Sequence, residues 1–333
     1  MSVLNMTKRL MASKAFVMSC ISLTAFAMQP VQAQSYPNKP IKFIAPIAPG
    51  GLTDTLTREI ATGLSAKLGQ PVVVDNRPGG GGTIGMVAAA KSPADGYTIV
   101  MVYAGVASVN PVLIPDLPYN TLRDFAPISL AGGFPLALIA RESLPVNNTK
   151  ELIEYAKNNP GKLNYASAGN ATSSHITMEL FLKSAGISMA HIPYKGEKPV
   201  LNDLMGGQVD VAFNSLTSVL PLMQSGKIKV LGISTPKASP LAPHIQPISE
   251  AGVPGFHSTG WYGILAPAGT PAEIIQRLSK ETQTVLNDPA FKERLAKQGV
   301  DLYGSTPEDA KKWIEQDTEK WRKVILEAGI KAN

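Results

Sequence analysis

Two short polar segments of the sequence, residues 48–54 and 167–175, have the composition of an anion-binding site. The first reads Ala-Pro-Gly-Gly-Leu-Thr-Asp, and the second holds three serines, a threonine, an asparagine and a histidine. Glycine lets a backbone approach a ligand closely, and the unpaired N–H groups and the dipole at the start of a helix favour a negative charge. These segments can therefore hold a small carboxylate without an arginine.

Each segment also has a simpler interpretation. Residues 48–54 suit an ordinary turn between a strand and a helix, with Asp54 as the helix cap. Residues 167–175 suit an extended cap, and His175 could support the site from behind rather than touch a ligand. The aromatic pair at 261–262 could pack at a hinge or line a cleft. The residues alone leave these alternatives open.

Strands alternate with helices along the chain, which is typical of the α/β class with mostly parallel sheets. Apolar runs predict strands near residues 41–44, 71–74, 97–102, 128–140, 163–166, 189–192, 209–213, 228–233 and 264–266. Helical spacing of apolar residues predicts helices near 53–68, 86–90, 149–158, 174–185, 199–205, 271–287 and 307–327. Proline-rich crossovers at 111–127 and 236–254 predict two lobes, the first made of residues 34–130 with 262–333 and the second of residues 131–261.

The two polar segments follow strands of different predicted lobes. In doubly wound sheets, ligands bind outside the carboxyl ends of the strands, so we expect the segments to face each other across a hinged cleft. Loops that follow other strands of each lobe should add to this site. The predicted ligand-binding residues are Ala48, Pro49, Gly50, Gly51, Thr53, Asp54, Tyr103, Ala104, Ser167, Ala168, Asn170, Thr172, Ser173, His175, Tyr194 and Asn214.

The motifs of catalysis, cofactor binding and metal binding are missing or incomplete. Residues 80–85 match the dinucleotide pattern Gly-x-Gly-x-x-Gly, but no acidic residue stands about 20 positions further on. The sequence has no Gly-x-Ser-x-Gly or His-Glu-x-x-His, and its four histidines lack metal-ligand spacing. We therefore expect no catalytic residue, cofactor or metal. A secreted hydrolase that uses Ser173 or Ser174 with His175 is the alternative from another class, and a sensory binding protein is a third.

The N-terminus has the order of a secretory signal peptide. Three basic residues precede an apolar run at 15–28, and Pro30 and the small residue Ala33 follow it. This run is shorter than the roughly 20 residues of a membrane span. The sequence therefore predicts a signal peptide at 1–33, cleavage after Ala33 and a periplasmic protein. Cys20, the only cysteine, lies inside the apolar run, so the predicted mature chain can form no disulfide.

The positive charge of the chain owes much to this leader. The formal charge is +6, and removing Lys8, Arg9 and Lys14 leaves +3. No block of basic residues remains that would suit a nucleic acid. The net positive charge of the chain is therefore not the reason for anion binding, and we expect no nucleic-acid partner. We also expect a monomer.

In their order along the chain, these motifs give the sequence a family resemblance. From residue 36 onward it resembles the Bug-type extracytoplasmic binding proteins of tripartite tricarboxylate transporters. The resemblance rests on Ala-Pro-Gly-Gly-x-Thr-Asp (48–54), Gly-Gln-Pro-Val-Val-Val-Asp-Asn-Arg-Pro-Gly (69–79), Asp-Gly-Tyr-Thr (95–98), Asp-Phe-Ala-Pro-Ile (124–128), Ala-Ser-Ala-Gly-Asn-x-Thr-Ser-Ser-His (166–175), His-Ile-Pro-Tyr-Lys-Gly (191–196), Gly-Gly-Gln-Val-Asp (206–210) and Leu-Ala-Pro-Ala-Gly-Thr-Pro (265–271).

This resemblance implies a type II periplasmic-binding-protein fold, with two doubly wound lobes and a hinged cleft. It implies capture of a carboxylate by the 48–54 and 167–175 segments, delivery to the permease subunits of a membrane transporter, and no catalysis. The sequence departs from the family pattern in three places. Ile47 stands where an aromatic residue is common, Ala171 where a glycine is usual, and residues 246–252 differ in sequence. Aromatic dicarboxylates, short dicarboxylates, amino acids and nicotinate-like acids all remain open as ligands.

Overall fold

The structure is a computed structural model that describes residues 36–328. The predicted signal peptide and Cys20 lie outside these residues. Over the described range, no helix is long and apolar enough to cross a membrane.

Strands and helices alternate through most of the described chain. The strands are β1 (Ile41–Ala45), β2 (Val72–Asn76), β3 (Thr98–Tyr103), β4 (Phe125–Phe134), β5 (Leu136–Arg141), β6 (Asn164–Ser167), β7 (Ala190–Pro193), β8 (Val211–Ser215), β9 (Ile228–Ile233), β10 (Gly260–Pro267) and β11 (Asp301–Leu302). The α-helices are α1 (Leu52–Leu68), α2 (Thr83–Ala90), α3 (Asn110–Leu113), α4 (Thr121–Asp124), α5 (Thr149–Asn158), α6 (Ser173–Ala185), α7 (Glu197–Met205), α8 (Leu216–Gln224), α9 (Ala272–Leu286), α10 (Pro289–Ala296) and α11 (Pro307–Ala328).

The strands form two sheets. The first has the order β11-β4-β10-β3-β1-β2, and the second has the order β7-β6-β8-β5-β9. Strand β4 ends at Phe134 and β5 begins at Leu136, so the chain passes from the first sheet to the second through Pro135 alone. It returns to the first sheet at β10. We call the first sheet with its helices lobe one and the second sheet with its helices lobe two.

The expectation of mostly parallel sheets is wrong. Strand β1 is parallel to β2 and β3, and β6 is parallel to β7 and β8. The other pairings, of β10 with β3 and β4, of β11 with β4, and of β5 with β8 and β9, are antiparallel. Two neighbouring strands that are parallel need a crossover connection, usually a helix. Strands β5 and β10 are instead the first strands after the chain passes from one sheet to the other, and they are antiparallel to the strands beside them.

Each sheet has its own apolar core. In lobe one, α1 presents Leu56, Ile60 and Leu64 at a spacing of four residues, and all three side chains are fully buried. In lobe two, Ala166 and Ala212 belong to a cluster that α7 and α8 cover. The sequence pattern did not predict the helices α3, α4, α8 and α10 or the short strand β11.

The two places where the chain passes between the sheets, at the end of β4 and at the start of β10, lie next to each other. The ring of Phe134, at the end of β4, stacks on Tyr262 of β10 with centroids 5.1 Å apart. Next to this pair, the indole N–H of Trp261 donates to Asp317 Oδ2 at 2.8 Å, and that of Trp321 donates to Asp317 Oδ1 at 3.1 Å. Helix α11 therefore holds the strand that returns from lobe two.

Candidate functional site

The loop between β1 and α1 leaves the start of the helix open. The interpretation of Asp54 as the cap of this helix is wrong, because α1 begins at Leu52 and its N-cap is Gly51. In the described structure, no side chain accepts a hydrogen bond as the cap of this helix. Gly50 has a φ of +96°, a left-handed conformation that favours glycine. Exposed glycines and open N–H groups are what an incoming anion requires.

Asp54 holds this loop in place instead. Its carboxylate is buried, and it accepts hydrogen bonds from Gly50 N–H at 3.0 Å, Arg58 Nε at 3.0 Å and Asn76 Nδ2 at 2.9 Å. Burial acts to raise the pKa of Asp54, but the hydrogen bonds from Arg58, Asn76 and Gly50 outweigh it, and the pKa is lowered. Asp54 is therefore an ionised brace that joins the loop, α1 and β2.

Tyr262, at the start of β10, borders this loop, and Tyr103, at the carboxyl end of β3, is its partner in the sheet. The Tyr103 hydroxyl donates to Gly81 O at 3.2 Å, and the Thr53 hydroxyl donates to Tyr262 Oη at 3.2 Å. Burial raises the pKa of Tyr262, the bond from Thr53 opposes this rise, and the negative charge of Glu197 adds to it. Glu197 belongs to lobe two, so its charge acts on Tyr262 from the other lobe.

Packing accounts for two glycines of the Gly-x-Gly-x-x-Gly pattern. A Cβ on Gly82 would lie 2.7 Å from Tyr103 Oη, and a Cβ on Gly85 would lie 2.7 Å from Pro46. Both distances are shorter than any van der Waals contact. These glycines let α2 and the turn before it lie against β3 and the loop that follows β1.

The second polar segment, after β6, is tied together internally. Ala168 N–H donates to Ser174 Oγ at 3.0 Å, and the Thr172 hydroxyl donates to Gly169 O at 2.6 Å. Ser167 Oγ lies 2.7 Å from His191 Nε2. The hydroxyls that the sequence offered as ligand groups are thus partly used to shape the loop.

Ala171 is the strained position of this loop and touches lobe one. It has a φ of +59°, the conformation that glycine adopts most readily. Its N–H donates to His175 Nδ1 at 3.1 Å. A Cβ on Gly105, which follows β3, would lie 2.7 Å from the Ala171 carbonyl oxygen. The loops of the two lobes therefore meet at Gly105 and Ala171.

Three stacked rings lie behind this loop. The rings of His175 and His191 are 4.1 Å apart and nearly parallel, and Tyr165 stacks on His191 at 4.7 Å. Burial lowers the pKa of His175 to about 3, with a contribution from His191, and burial lowers the pKa of His191 to about 4. Both imidazoles are therefore neutral at pH 7. His175 supports the loop through Nδ1, which does not favour its use as a catalytic base.

Two asparagines of the predicted site have polar atoms without partners. Asn214, near the end of β8, has no exposed surface, and neither its Nδ2 nor its Oδ1 forms a hydrogen bond within residues 36–328. The buried Oδ1 of Asn170 is unpaired in the same sense. An unsatisfied buried polar group costs about 1–3 kcal/mol. A bound ligand or a water molecule can supply the missing partner of such a group.

The remaining predicted residues differ in their surroundings. Residues 48–51 are exposed, Ser173 is half-buried and Ala104 is buried. The Tyr194 hydroxyl donates to Asp203 Oδ2 at 2.6 Å, and burial together with Asp203 raises the pKa of Tyr194 to about 12. Tyr194 therefore directs its hydroxyl to α7 rather than to a ligand. No group of three or more metal-ligating side chains occurs in the part of the chain described.

Sequence reasoning missed the role of Glu197. This residue starts α7, and its Oε2 accepts hydrogen bonds from Ser215 Oγ at 2.8 Å and Ser218 Oγ at 3.0 Å. We define the intersheet site by Thr53, Tyr103 and Tyr262 of lobe one and by Ala171, Glu197 and Asn214 of lobe two. The one signal in the sequence for a role of Glu197 in the site is its position at the start of a helix, directly after the predicted site loop Tyr194-Lys195-Gly196.

A two-lobed α/β fold with polar loops between its sheets is the arrangement of a solute-binding protein. Residues 56–330 match the model of the tripartite tricarboxylate transporter family receptor, and the chain belongs to this family. The family expected from the sequence is thereby confirmed, and the solved structures described next confirm the expected periplasmic-binding-protein fold.

Relatives of known name and structure agree with this membership. Protein BugT of Bordetella pertussis is 36% identical over 98% of this chain and 99% of its own. The periplasmic binding protein BugD has a TM-score of 0.80 at 36% identity, covering 90% of this chain and 100% of that one. An R. palustris protein with adipate has a TM-score of 0.83 at 34% identity, covering 89% of this chain and 99% of that one.

Proposed function

We propose that this protein captures a small organic mono- or dicarboxylate between its lobes in the periplasm and delivers it to the permease subunits of a tripartite tricarboxylate-type transporter. The observation that carries the proposal is the wholly buried, unpaired amide of Asn214. It lies at the end of β8, in the lobe whose loop meets lobe one at Gly105 and Ala171. A ligand held there gains hydrogen bonds that the protein cannot make by itself.

A carboxylate is the ligand class that the open start of α1 favours. Its first-turn N–H groups and its dipole attract an anion, and the adjacent glycines admit it closely. The R. palustris relative that was solved with adipate supports the same class. The ligand-binding residues predicted from the sequence remain our proposal, with Asp54, His175 and Tyr194 reassigned to holding the loops.

The proposed lobes are residues 34–130 with 262–333, and residues 131–261. Strand membership favours moving their boundaries to Pro135 and to the segment before β10, because β4 belongs to the first sheet up to Phe134. Ligand contacts from both lobes would shift a hinged equilibrium toward the closed form. The signal peptide at 1–33 and cleavage after Ala33 belong to this proposal.

Thermal unfolding of the purified chain from residue 34 onward tests the ligand class. The screen compares adipate, malate, glutamate and nicotinate with neutral sugars of similar size. A ligand present at 100 times its Kd stabilises the folded state by about 2.7 kcal/mol, which a melting curve detects readily. We expect at least one acid and no sugar to stabilise the protein. Stabilisation by a sugar with no effect of any organic acid would exclude carboxylate capture.

Delivery to a transporter needs a separate test in cells. Deletion of the gene should abolish uptake of the acid found in the screen, and the wild-type gene should restore it. Normal uptake in the deletion strain would remove the transport role while leaving the binding role intact.

A further inference from the structure

The intersheet site contains a carboxylate of its own. Glu197 is half-buried at the start of α7, and one of its oxygens, Oε2, accepts hydrogen bonds from Ser215 and Ser218. No ion pair within residues 36–328 involves Glu197. The two hydroxyls fix the side chain but leave its negative charge without a cation.

The charge of Glu197 reaches lobe one. Glu197 acts electrostatically on Tyr262, whose hydroxyl is bound by Thr53 in the first turn of α1. Ser215, which binds Glu197, directly follows the unpaired Asn214. Glu197 therefore lies on the lobe-two side, at the end of the strand that carries Asn214, whereas the open helix start that suits an anion lies on the lobe-one side.

We propose that Glu197 selects ligands that carry one carboxylate and, at the other end, a hydrogen-bond donor such as a hydroxyl, amide or ammonium group. This inference rests on the proposed capture of carboxylates and specifies the class of acid. The carboxylate of the ligand lies at the start of α1, and its donor faces Glu197 and the Asn214 Oδ1. The Asn214 Nδ2 donates a hydrogen bond to an acceptor on the same ligand.

A second carboxylate at that end would face Glu197. Like charges placed together across an interface are strongly unfavourable, because neither is screened by water once the site closes. An ammonium group at that end would be attracted to the carboxylate of Glu197, and a hydroxyl would donate a hydrogen bond to this charged acceptor. Glu197 thus separates diacids from hydroxy, amide and amino acids of equal length.

Calorimetric titration with length-matched acids tests this selection at neutral pH. The four-carbon series is succinate, succinamate, 4-hydroxybutyrate and 4-aminobutyrate, and the six-carbon series is adipate, adipamate, 6-hydroxyhexanoate and 6-aminohexanoate. The chain from residue 34 onward is used as wild type, as Glu197→Gln and as Glu273→Gln. Glu273 is exposed on α9, so its variant is a matched control for the change in charge.

In whichever series binds, the wild type should bind a donor-bearing acid at least about tenfold more tightly than the diacid. Glu197→Gln should remove most of this preference by strengthening diacid binding, and Glu273→Gln should leave it unchanged. Tighter binding of the diacid by the wild type would overturn the selection by Glu197 while leaving carboxylate capture intact. Failure of every acid to bind would instead reject carboxylate capture, and the selection with it. The ranking in the wild type decides the matter even if Glu197→Gln does not fold.

Discussion

His175 Nδ1 accepts a hydrogen bond from the N–H of Ala171 at 3.1 Å. This contact ties a buried, neutral imidazole to the one described non-glycine residue in the left-handed backbone region. Ala171 in turn meets lobe one at Gly105. The histidine therefore acts on the site through the shape of the loop that meets lobe one.

Replacing Ala171 with glycine should relieve the strain of this loop. The left-handed conformation costs an alanine roughly 1–2 kcal/mol, and the extra freedom of glycine in the unfolded chain offsets about 0.5–1 kcal/mol of that gain. We expect Ala171→Gly to raise the free energy of unfolding in urea by up to about 1 kcal/mol. Ala168→Gly, at a negative φ in the same loop, is the control and should lower it. Equal losses for the two variants would show that Ala171 is not strained.

The stacked histidines should make the protein less stable in acid. Both have a pKa below the usual value of 6.5 in the folded state, about 3 for His175 and about 4 for His191, so the unfolded chain binds more protons between these values and pH 6.5. Their contribution to stability is present above pH 6.5 and is lost as the pH falls toward about 4.

Urea unfolding at a series of pH values measures this slope. His191→Gln should reduce it, because one of the two stacked imidazoles is gone. His244→Gln, on the exposed surface, is the control. A stability that does not change between pH 6.5 and pH 4.5 would mean that the imidazoles are not held neutral.

Asp54 should matter more for stability than a carboxylate in a surface ion pair. Asp54→Asn removes a buried charge that three donors satisfy, and we expect a loss of about 1–3 kcal/mol in the free energy of unfolding. The matched variant Asp75→Asn breaks the partly exposed pair with Arg77 and should cost about 0–1 kcal/mol. Similar losses for the two variants would contradict the role of Asp54 as a brace.

Local pattern predicted most elements, because their apolar spacing is a property of neighbouring residues. The predicted helix at 149–158 and strand at 228–233 match α5 and β9. Helix α8 was missed since Pro221 lies inside it. Strands β5 and β10 are antiparallel to their neighbours because of where the chain crosses between the sheets. The spacing of apolar residues within a strand carries no information about these crossing points.

The sequence predicts which loops form the candidate site, but not which side chains contact each other within it. Residues 167–175 could be selected because their polar groups exceed what one helix cap needs. Asp54 was misassigned as a helix cap because one of its partners, Asn76, lies 22 positions away in the sequence. Glu197 was overlooked because its partners Ser215 and Ser218 lie 18 and 21 positions away in the sequence.

Calorimetric titration of Asn214→Leu with the acid that binds the wild type most tightly tests ligand capture most directly. Leucine has a similar shape but no polar atoms, so it removes a buried amide that the protein leaves unpaired. We predict that the affinity falls at least about tenfold, while the free energy of unfolding without ligand stays the same or rises. Unchanged affinity in a folded Asn214→Leu protein would contradict the placement of the ligand between the lobes.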